Sequence, residues 1–272
     1  MASETNKMNI PLLTIVAIFG IVMIFPIYLL VMASLRLPSE VFEANLWPSV
    51  MTLENFTAVF QGKFLRSVWN SVLVSTVVTV AALLFHAMAG FALARLDFPG
   101  KSAIFSWMLS TLMVPFSVIM IPLFMITKEI GLANSLWGLI VPSIFNAYGI
   151  FLFRQFYQSF PKELEEAASI EGYTIAGTFF RIVLPLSMPM VVPLTIGFFL
   201  ANYNSYLWPS IILQKEELWV VQVALAQMVG SGYTTPWNEV LAAAVVASIP
   251  TFLLFFFMQK YLVTGIKMTG IK

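Results

Sequence analysis

Between Ser67 and Ala94 the sequence reads SVWNSVLVSTVVTVAALLFHAMAGFALA, without a single charged side chain. As a helix, this run is longer than the ~20 residues that cross the hydrocarbon core of a bilayer. The whole chain has the same character, because 60% of its 272 residues are hydrophobic and only 10% are charged. Soluble domains carry roughly 25% charged residues. The sequence therefore predicts a membrane protein.

Charge-free intervals long enough to cross a bilayer occur six times along the chain. They define predicted spans at residues 10–35, 67–94, 102–127, 130–153, 182–214 and 240–259. The sequence lacks the alternation of apolar and polar residues that is typical of barrel strands, and backbone in lipid must otherwise be helical. We therefore predict an all-α, polytopic membrane protein with six transmembrane helices in one domain, residues 1–272. A further interval, 218–238, is apolar over too short a run to cross and is interpreted as a loop helix.

Catalytic chemistry has little support in the sequence. There is no cysteine, which excludes disulfides, thiolate metal sites and a cysteine nucleophile. The only histidine, His86, has no charged neighbour on its helix, so a proton relay lacks partners, and we interpret His86 as a packing or pore-lining residue. The sequence PGKS at Pro99–Ser102 lacks the spacing of a phosphate-binding loop. We predict a protein that is not an enzyme and has no catalytic residue or metal site.

Basic residues predict the orientation in the membrane. With a cytoplasmic N-terminus, nine of the 14 Lys and Arg residues face the cytoplasm and five face outward, which satisfies the positive-inside rule. The nine are Lys7, Arg95, Lys101, Arg154, Lys162, Arg181, Lys260, Lys267 and Lys272. Both termini, and the segment between the fourth and fifth spans, are therefore predicted to be cytoplasmic.

That cytoplasmic segment, residues 159–185, has the pattern of a helical hairpin. Its first helix begins where the macrodipole favours anions. The carboxylates near that end are Glu163, Glu165 and Glu166. Gly172 suits a turn with positive φ, and a second helix is predicted from about Thr174, ending before Pro185. By itself this pattern fits a solvated charged loop equally well.

The spacing EAASIEGYTIAGTFFRIVLP resembles the coupling loop in permease subunits of binding-protein-dependent ABC importers. The matching residues are Glu166, Ala167, Ala168, Gly172, Ile182, Leu184 and Pro185. Glu171 keeps a carboxylate where the family usually has aspartate, and Tyr173 stands where it usually has alanine. In that family the hairpin fits a cleft on a cytoplasmic ATPase, and the first glutamate of the motif approaches a basic residue there. The resemblance therefore implies an ATPase-coupling site made by these residues with Glu165, no cofactor in this chain, and ATP and Mg bound by the partner ATPase.

The resemblance extends along nearly the whole chain and points to the carbohydrate importers, in particular the second, shorter permease of maltose-type transporters. It is carried by FALARLDFPGK, MVPFSVIMIPLF, GLANSLWGLIVP, NSYLWPSIIL and KYLVTGIKMTGIK. It implies a type I ABC importer permease fold in a bacterial or archaeal plasma (inner) membrane. The subunit would form half of the pathway for a sugar or related solute. The implied partners are a second homologous permease, two ATPase subunits and an extracytoplasmic solute-binding protein.

Two functions are alternatives to a sugar permease of an ABC importer. The first is an ABC permease for a non-sugar solute such as glycerol phosphate, because permeases of similar sequence carry such solutes. The second is a secondary transporter independent of ATP. That class is expected to show ionisable residues within the membrane or inverted repeats, and neither is visible in the sequence.

A polar patch lies within the fifth predicted span. Such side chains are costly in lipid and are predicted to face a partner helix or the pathway. Amides and aromatic rings also suit contact with a sugar, although hydrogen bonds between helices explain the patch equally well. The candidate pathway residues are Asn202, Tyr203, Asn204 and Tyr206.

The segment after the loop helix is where the resemblance suggests contact with the solute-binding protein. The candidate contact residues are Tyr233, Thr234, Trp237 and Asn238. A cap on the pore at the membrane surface is an equally good interpretation, because Trp219 and Trp237 suit the interface between lipid and water.

Overall fold

The computed structural model describes residues 10–230 and 235–269, with side chains as far as Tyr261 in the last helix. Within these ranges the chain is helical with no β-strand, which confirms the predicted all-α class. The helices are α1 (Ile10–Ser34), α2 (Glu54–Gln61), α3 (Phe64–Arg95), α4 (Lys101–Thr111), α5 (Phe116–Glu129), α6 (Trp137–Ile144), α7 (Ala147–Gln158), α8 (Glu163–Ile170), α9 (Ile175–Thr178), α10 (Leu184–Leu186), α11 (Met188–Tyr203), α12 (Leu207–Ile212), α13 (Val221–Val229) and α14 (Trp237–Thr269). A π-helical turn, Phe179–Val183, joins α9 to α10.

Four stretches of the described chain are long and apolar enough to cross a membrane as they stand. They are α1, α3, α6 with α7, and α14 as far as Tyr261. Two further spans are pairs of helices joined at a sharp bend, of 103° between α4 and α5 and of 75° between the α9–α10 and α11–α12 segments. Counting each bent pair as one span gives the six spans that the sequence predicts.

The third span differs most from its predicted form, which was a continuous run over 102–127. The structure bends it between Thr111 and Phe116. Pro115 lies at the bend with φ −60° and ψ 139°, outside the helical region. Proline has no amide proton to donate and disfavours a helical conformation in the residue before it, here Val114. The bend therefore follows from the local sequence MVPF.

The fourth span begins at Trp137, later than the predicted start at residue 130, and ends at Gln158. Gly131 and Asn134 both have positive φ, of 76° and 55°, so this stretch cannot continue a right-handed helix. The Asn134 side chain accepts hydrogen bonds from the backbone N–H groups of Gln214 and Lys215, at 3.0 and 3.1 Å. These contacts hold the turn against the segment after α12.

Contacts within the chain group its residues into two compact units, and the single transmembrane domain stays a prediction. The first comprises Met1–Phe64 with Leu225–Ser248, and the second comprises Leu65–Ala224 with Ile249–Lys272. In the first unit the Asn55 amide donates to the Ser34 and Arg36 carbonyls, at 2.8 and 2.9 Å. These bonds secure the loop that follows α1. The apolar side chains of α1 are exposed around the helix, as expected where lipid or partner helices surround it.

The second unit contains two apolar clusters, one along the first half of α3 and one along its second half. The first contains Val74 and Val78 of α3 with residues from α6, α12 and the segment leading into α13. The second contains Leu83, Ala87 and Phe91 of α3 with residues from α7, the π turn and α11. The second span is therefore packed along much of its length, and its last turns reach the segment that follows the fourth span.

Candidate functional site

The hairpin, residues 159–186, follows the fourth span and is built as two short helical arms. Its second arm is also the first segment of the bent fifth span. The first arm is α8, and it ends in a turn where Gly172 has φ +80°. This confirms the positive φ predicted there, a conformation that glycine adopts without strain. The second arm begins at Thr174, whose hydroxyl oxygen accepts from the Gly177 N–H at 3.1 Å as an N-terminal cap.

The far end of the hairpin is an exposed surface of mixed character, which we call the tip surface. Its members are Glu166, Ala167, Ile170, Glu171, Gly172 and Ile175. Ile170, at the end of α8, is 88% exposed, and Ile175, at the start of α9, is 61% exposed. Ala168 alone of the EAA triplet is buried, at 1% exposure. A carboxylate beside a small residue and two exposed isoleucines is the composition of a surface that docks on another protein.

Glu165 lies in the first arm but does not belong to the tip surface. Its carboxylate is 2.8 Å from the Arg95 guanidinium, at the end of α3. The family resemblance implies that Glu165 faces the ATPase, whereas in the structure Glu165 pairs with Arg95 of the second span. No sequence signal pairs these two residues, because they belong to different elements.

The second arm does not end before Pro185 as predicted. Instead the chain makes the π turn and continues helically through Pro185 to Leu186. The Leu184 N–H bonds the Phe179 carbonyl, five residues back, and this wider turn accommodates the proline, which has no N–H of its own. Ile182 and Leu184 are half-buried here and Pro185 is exposed, so these three motif residues lie in the second arm, beyond the tip surface.

The base of the hairpin is packed by aromatic rings. Phe91 of α3 contacts both Tyr157 of α7 and Phe179 of the second arm, with ring centroids 5.9 and 5.3 Å apart. The hydroxyls of Tyr157 and Ser187 lie 3.1 Å apart, and Ser187 donates to the Val183 carbonyl at 2.6 Å. The second arm is therefore fixed to the second and fourth spans at its base, while the tip surface is left uncovered.

Within the spans, the candidate pathway residues have different surroundings. Asn202 lines a cavity of about 20 Å³ and donates to the Phe198 carbonyl at 2.8 Å. Tyr203 is 1% exposed and stacks on Phe199. Asn204 is exposed and accepts from the Gln222 amide at 3.2 Å, and Tyr206 is 48% exposed. The structure thus places Tyr203 in the core and the other three at or near accessible space.

The same cavity is lined by three further polar residues that are not among the candidates predicted from sequence. Besides Asn202, its polar lining consists of Ser71, Ser143 and Ser205, from three different spans. A volume of this size accommodates about one water molecule. The two serines outside the fifth span carry no sequence signal, since isolated serines are common in membrane helices.

His86 is fully buried, and its role is to support the broken fourth span. Its Nε2 accepts a hydrogen bond from the Asn146 N–H at 3.1 Å, at the break between α6 and α7. A Cβ on Gly149 would overlap the His86 ring, so the ring is packed directly on the α7 backbone. The structure thus favours packing over pore lining, the two interpretations made from sequence.

Replacing His86 with leucine is expected to lower the stability of the folded subunit. The Asn146 N–H would be left without its acceptor in a partly buried position, which costs about 1 kcal/mol. The apparent melting temperature in detergent measures the effect. Glutamine is the matched control, because its amide oxygen keeps an acceptor, and it should melt closer to the wild type. Equal melting of His86→Leu and the wild type would contradict this role.

The candidate contacts with a binding protein fall in and beside a gap in the described chain. Tyr233 and Thr234 lie outside the described residues. Trp237 is 38% exposed and meets Phe42 edge-on, with centroids 6.0 Å apart. Asn238 is 6% exposed and donates to the Asn55 side chain at 2.7 Å, so it supports the loop after α1. Trp237 is therefore the accessible one of the two described residues.

Comparison with known proteins places these features in a family. The chain is 35% identical, over 279 aligned positions and the full length of both chains, to the arabinooligosaccharides transport system permease protein of Halalkalibacterium halodurans. It is 30% identical to the lactose transport system permease protein of Rhizobium radiobacter, over 93% of this chain and 92% of that one. It is 31% identical to the sn-glycerol-3-phosphate transport system permease protein of Brucella abortus, over 93% and 94%.

A solved structure has the same fold. It belongs to a bacterial ABC transporter involved in the import of the acidic polysaccharide alginate, and the match has a TM-score of 0.83 at 22% identity, covering 96% of this chain and 99% of that one. The family model for the binding-protein-dependent transport system inner membrane component matches residues 86–268, which include the hairpin and the last four spans. The chain therefore belongs to this family of multi-pass inner-membrane permease subunits of ABC transporters.

Proposed function

We propose that this chain forms half of the translocation pathway of an ATP-driven importer for a sugar, and that it couples to a cytoplasmic ATPase through the tip surface. The observation that carries the proposal is the uncovered tip surface, with Glu166 and Ala167 beside two exposed isoleucines, on a hairpin whose base is packed into the spans. A rigid element fixed at one end and free at the other transmits a displacement from a partner to the spans.

The coupling site comprises the tip surface and the supporting residues of the second arm. In this proposal Glu166, Ala167 and Glu171 contact the ATPase, Ala168 and Gly172 shape the turn, and the second arm supports them from behind. Glu165 is not among these contacts, because its carboxylate pairs with Arg95. The ATPase subunits bind ATP and Mg, and this chain supplies neither a nucleotide site nor catalytic residues. The described residues contain no group of three His, Asp or Glu side chains arranged to hold a metal ion.

The transported solute is proposed to be a neutral sugar. Relatives of this chain are named for arabino-oligosaccharides and for lactose, which supports that class. The relative named for glycerol 3-phosphate favours a second candidate, an anionic phosphate ester.

The remaining parts of the assembly follow the same proposal. A second homologous permease completes the pathway, two ATPase subunits bind the tip surfaces, and a solute-binding protein delivers the sugar from outside. Both termini and the hairpin lie in the cytoplasm, supported by the distribution of basic residues. Trp237 is proposed as a contact with the binding protein, because it is exposed next to the buried Asn238.

Reconstitution tests the proposal and identifies the solute. The chain is assembled in nanodiscs with its partner permease and ATPase, and ATP hydrolysis is measured with binding protein loaded with arabino-oligosaccharide, lactose or glycerol 3-phosphate. We expect stimulation by a sugar-loaded binding protein and little by the phosphate ester. Stimulation by glycerol 3-phosphate alone would replace the sugar assignment. Solute uptake by this chain alone, unaffected by ATP, would overturn the importer assignment and indicate a secondary transporter.

A further inference from the structure

Arg95, the last residue of α3, contacts the hairpin at two points, one in the turn after α7 and one in the first arm. Its Nε lies 2.8 Å from Glu165 Oε1, and its Nη2 donates a hydrogen bond to the Phe160 carbonyl. The Arg95 side chain is 7% exposed and that of Glu165 is 26% exposed. The Nε–H does not point along a good hydrogen-bond direction toward the carboxylate, so this contact is an ion pair in which Coulomb attraction dominates.

The two groups that Arg95 contacts lie on either side of the turn between α7 and α8. Phe160 lies in the turn after α7, and Glu165 lies in the first turn of α8. Pro161 between them has no N–H, and the turn bonds of Ser159 and Phe160 reach back to α7 and make no bond to α8. The angle between α7 and α8 is therefore not set by a continuous helix. Arg95 bridges both sides of this turn and fixes it.

Apolar packing reinforces the same connection. Phe91, one turn before Arg95, touches Tyr157 before the hairpin and Phe179 in the second arm. The Arg154 Nε of α7 also donates to the Leu93 carbonyl of α3 at 3.3 Å. The end of the second span is therefore joined to both arms of the hairpin, although the chain itself connects the hairpin only to the fourth and fifth spans.

We propose that Arg95 is a positioning residue for coupling: it holds α8 onto the end of the second span through Glu165, so that displacement of the tip surface reaches the second span as well as the fourth and fifth. The inference rests on the proposed coupling function. In this arrangement Glu165 serves the permease internally, while its neighbour Glu166 serves the ATPase. Loss of the ion pair leaves the tip surface intact for docking and weakens the transfer of its movement to the pathway.

The test separates docking from coupling in the complete reconstituted complex. The main variant is Glu165→Gln, which keeps shape and burial and removes the charge. We expect the ATPase subunit to copurify within about twofold of the wild type, while the amount of sugar taken up per ATP hydrolysed falls at least fivefold. Glu163→Gln is the matched control, because Glu163 is an exposed carboxylate in the same helical turn. It should retain the wild-type ratio.

Charge exchange supplies the second measurement. Arg95→Glu alone should lower the amount of sugar taken up per ATP hydrolysed, which is the coupling ratio. The double variant Arg95→Glu with Glu165→Arg should restore at least half of that ratio. A merely structural role of either residue would not give this rescue. Loss of ATPase copurification in Glu165→Gln would show that Glu165 contacts the ATPase and would overturn the inference. An unchanged coupling ratio in Glu165→Gln, or no rescue by the exchange, would overturn it too. Failure of the proposed function is detected separately, by normal ATPase docking in a Glu166→Lys variant.

Discussion

A Glu166→Lys variant is expected to insert in the membrane normally but to lose solute uptake and ATPase docking. Glu166 is exposed in the first turn of α8, at the edge of the tip surface, and contacts neither the ion pair nor the packed base. In the proposed complex its carboxylate meets a basic residue of the ATPase in a partly buried interface. Removing one member of such a pair weakens association by about 2–5 kcal/mol, and lysine adds repulsion.

Copurification of the ATPase subunit and solute uptake are the two measurements for this variant. Glu163→Lys is the matched control, since it makes the same change of charge in the same exposed turn and has the same unfavourable interaction with the helix dipole. It should dock and transport nearly as well as the wild type. ATPase docking by Glu166→Lys at the wild-type level would remove the tip surface from the proposal and would leave the hairpin as a solvated loop.

A Gly90→Ala variant is expected to lose stability, because the added methyl group would meet the backbone of another span. A Cβ at Gly90 would lie 2.6 Å from the Phe153 Cβ and 2.9 Å from the Arg154 backbone nitrogen. Neither atom can move without displacing α7 from α3. Overpacking of this kind costs typically about 1–3 kcal/mol, and a small residue at such a crossing is what allows two membrane helices to approach closely.

The yield of monodisperse subunit and its apparent melting temperature measure this effect, and Gly90→Val should lower both further. Gly197→Ala is the control, because Gly197 is also in a membrane helix of the second unit but a Cβ there meets nothing within 4 Å. Since the second span must separate from the fourth, the hairpin base should loosen as well, and coupling should fall together with stability. Equal melting of Gly90→Ala and Gly197→Ala would contradict the close approach of α3 and α7.

The parts of the fold that could be predicted are those that depend on local composition. Apolar runs specify the spans, because transfer of each side chain to lipid contributes independently of its distant neighbours. The hairpin turn is equally local, since Gly172 provides the positive φ wherever the arms lie. The break in the third span was not predicted, although Pro115 is a local signal for it. The predicted end of the second arm at Pro185 was wrong, because the π turn absorbs the missing N–H.

Composition and motif spacing were enough to predict the membrane class, the number of apolar spans and the family. Tertiary structure decided which glutamate is free and which is paired: Glu165 and Glu166 are adjacent and chemically identical, yet only Glu165 meets Arg95. It also brought Ser71 and Ser143 to Asn202, and His86 to the break beside Asn146. The transfer free energies of side chains add along the chain, so composition predicts the spans. The partner of a buried polar group instead depends on which distant segments pack against it.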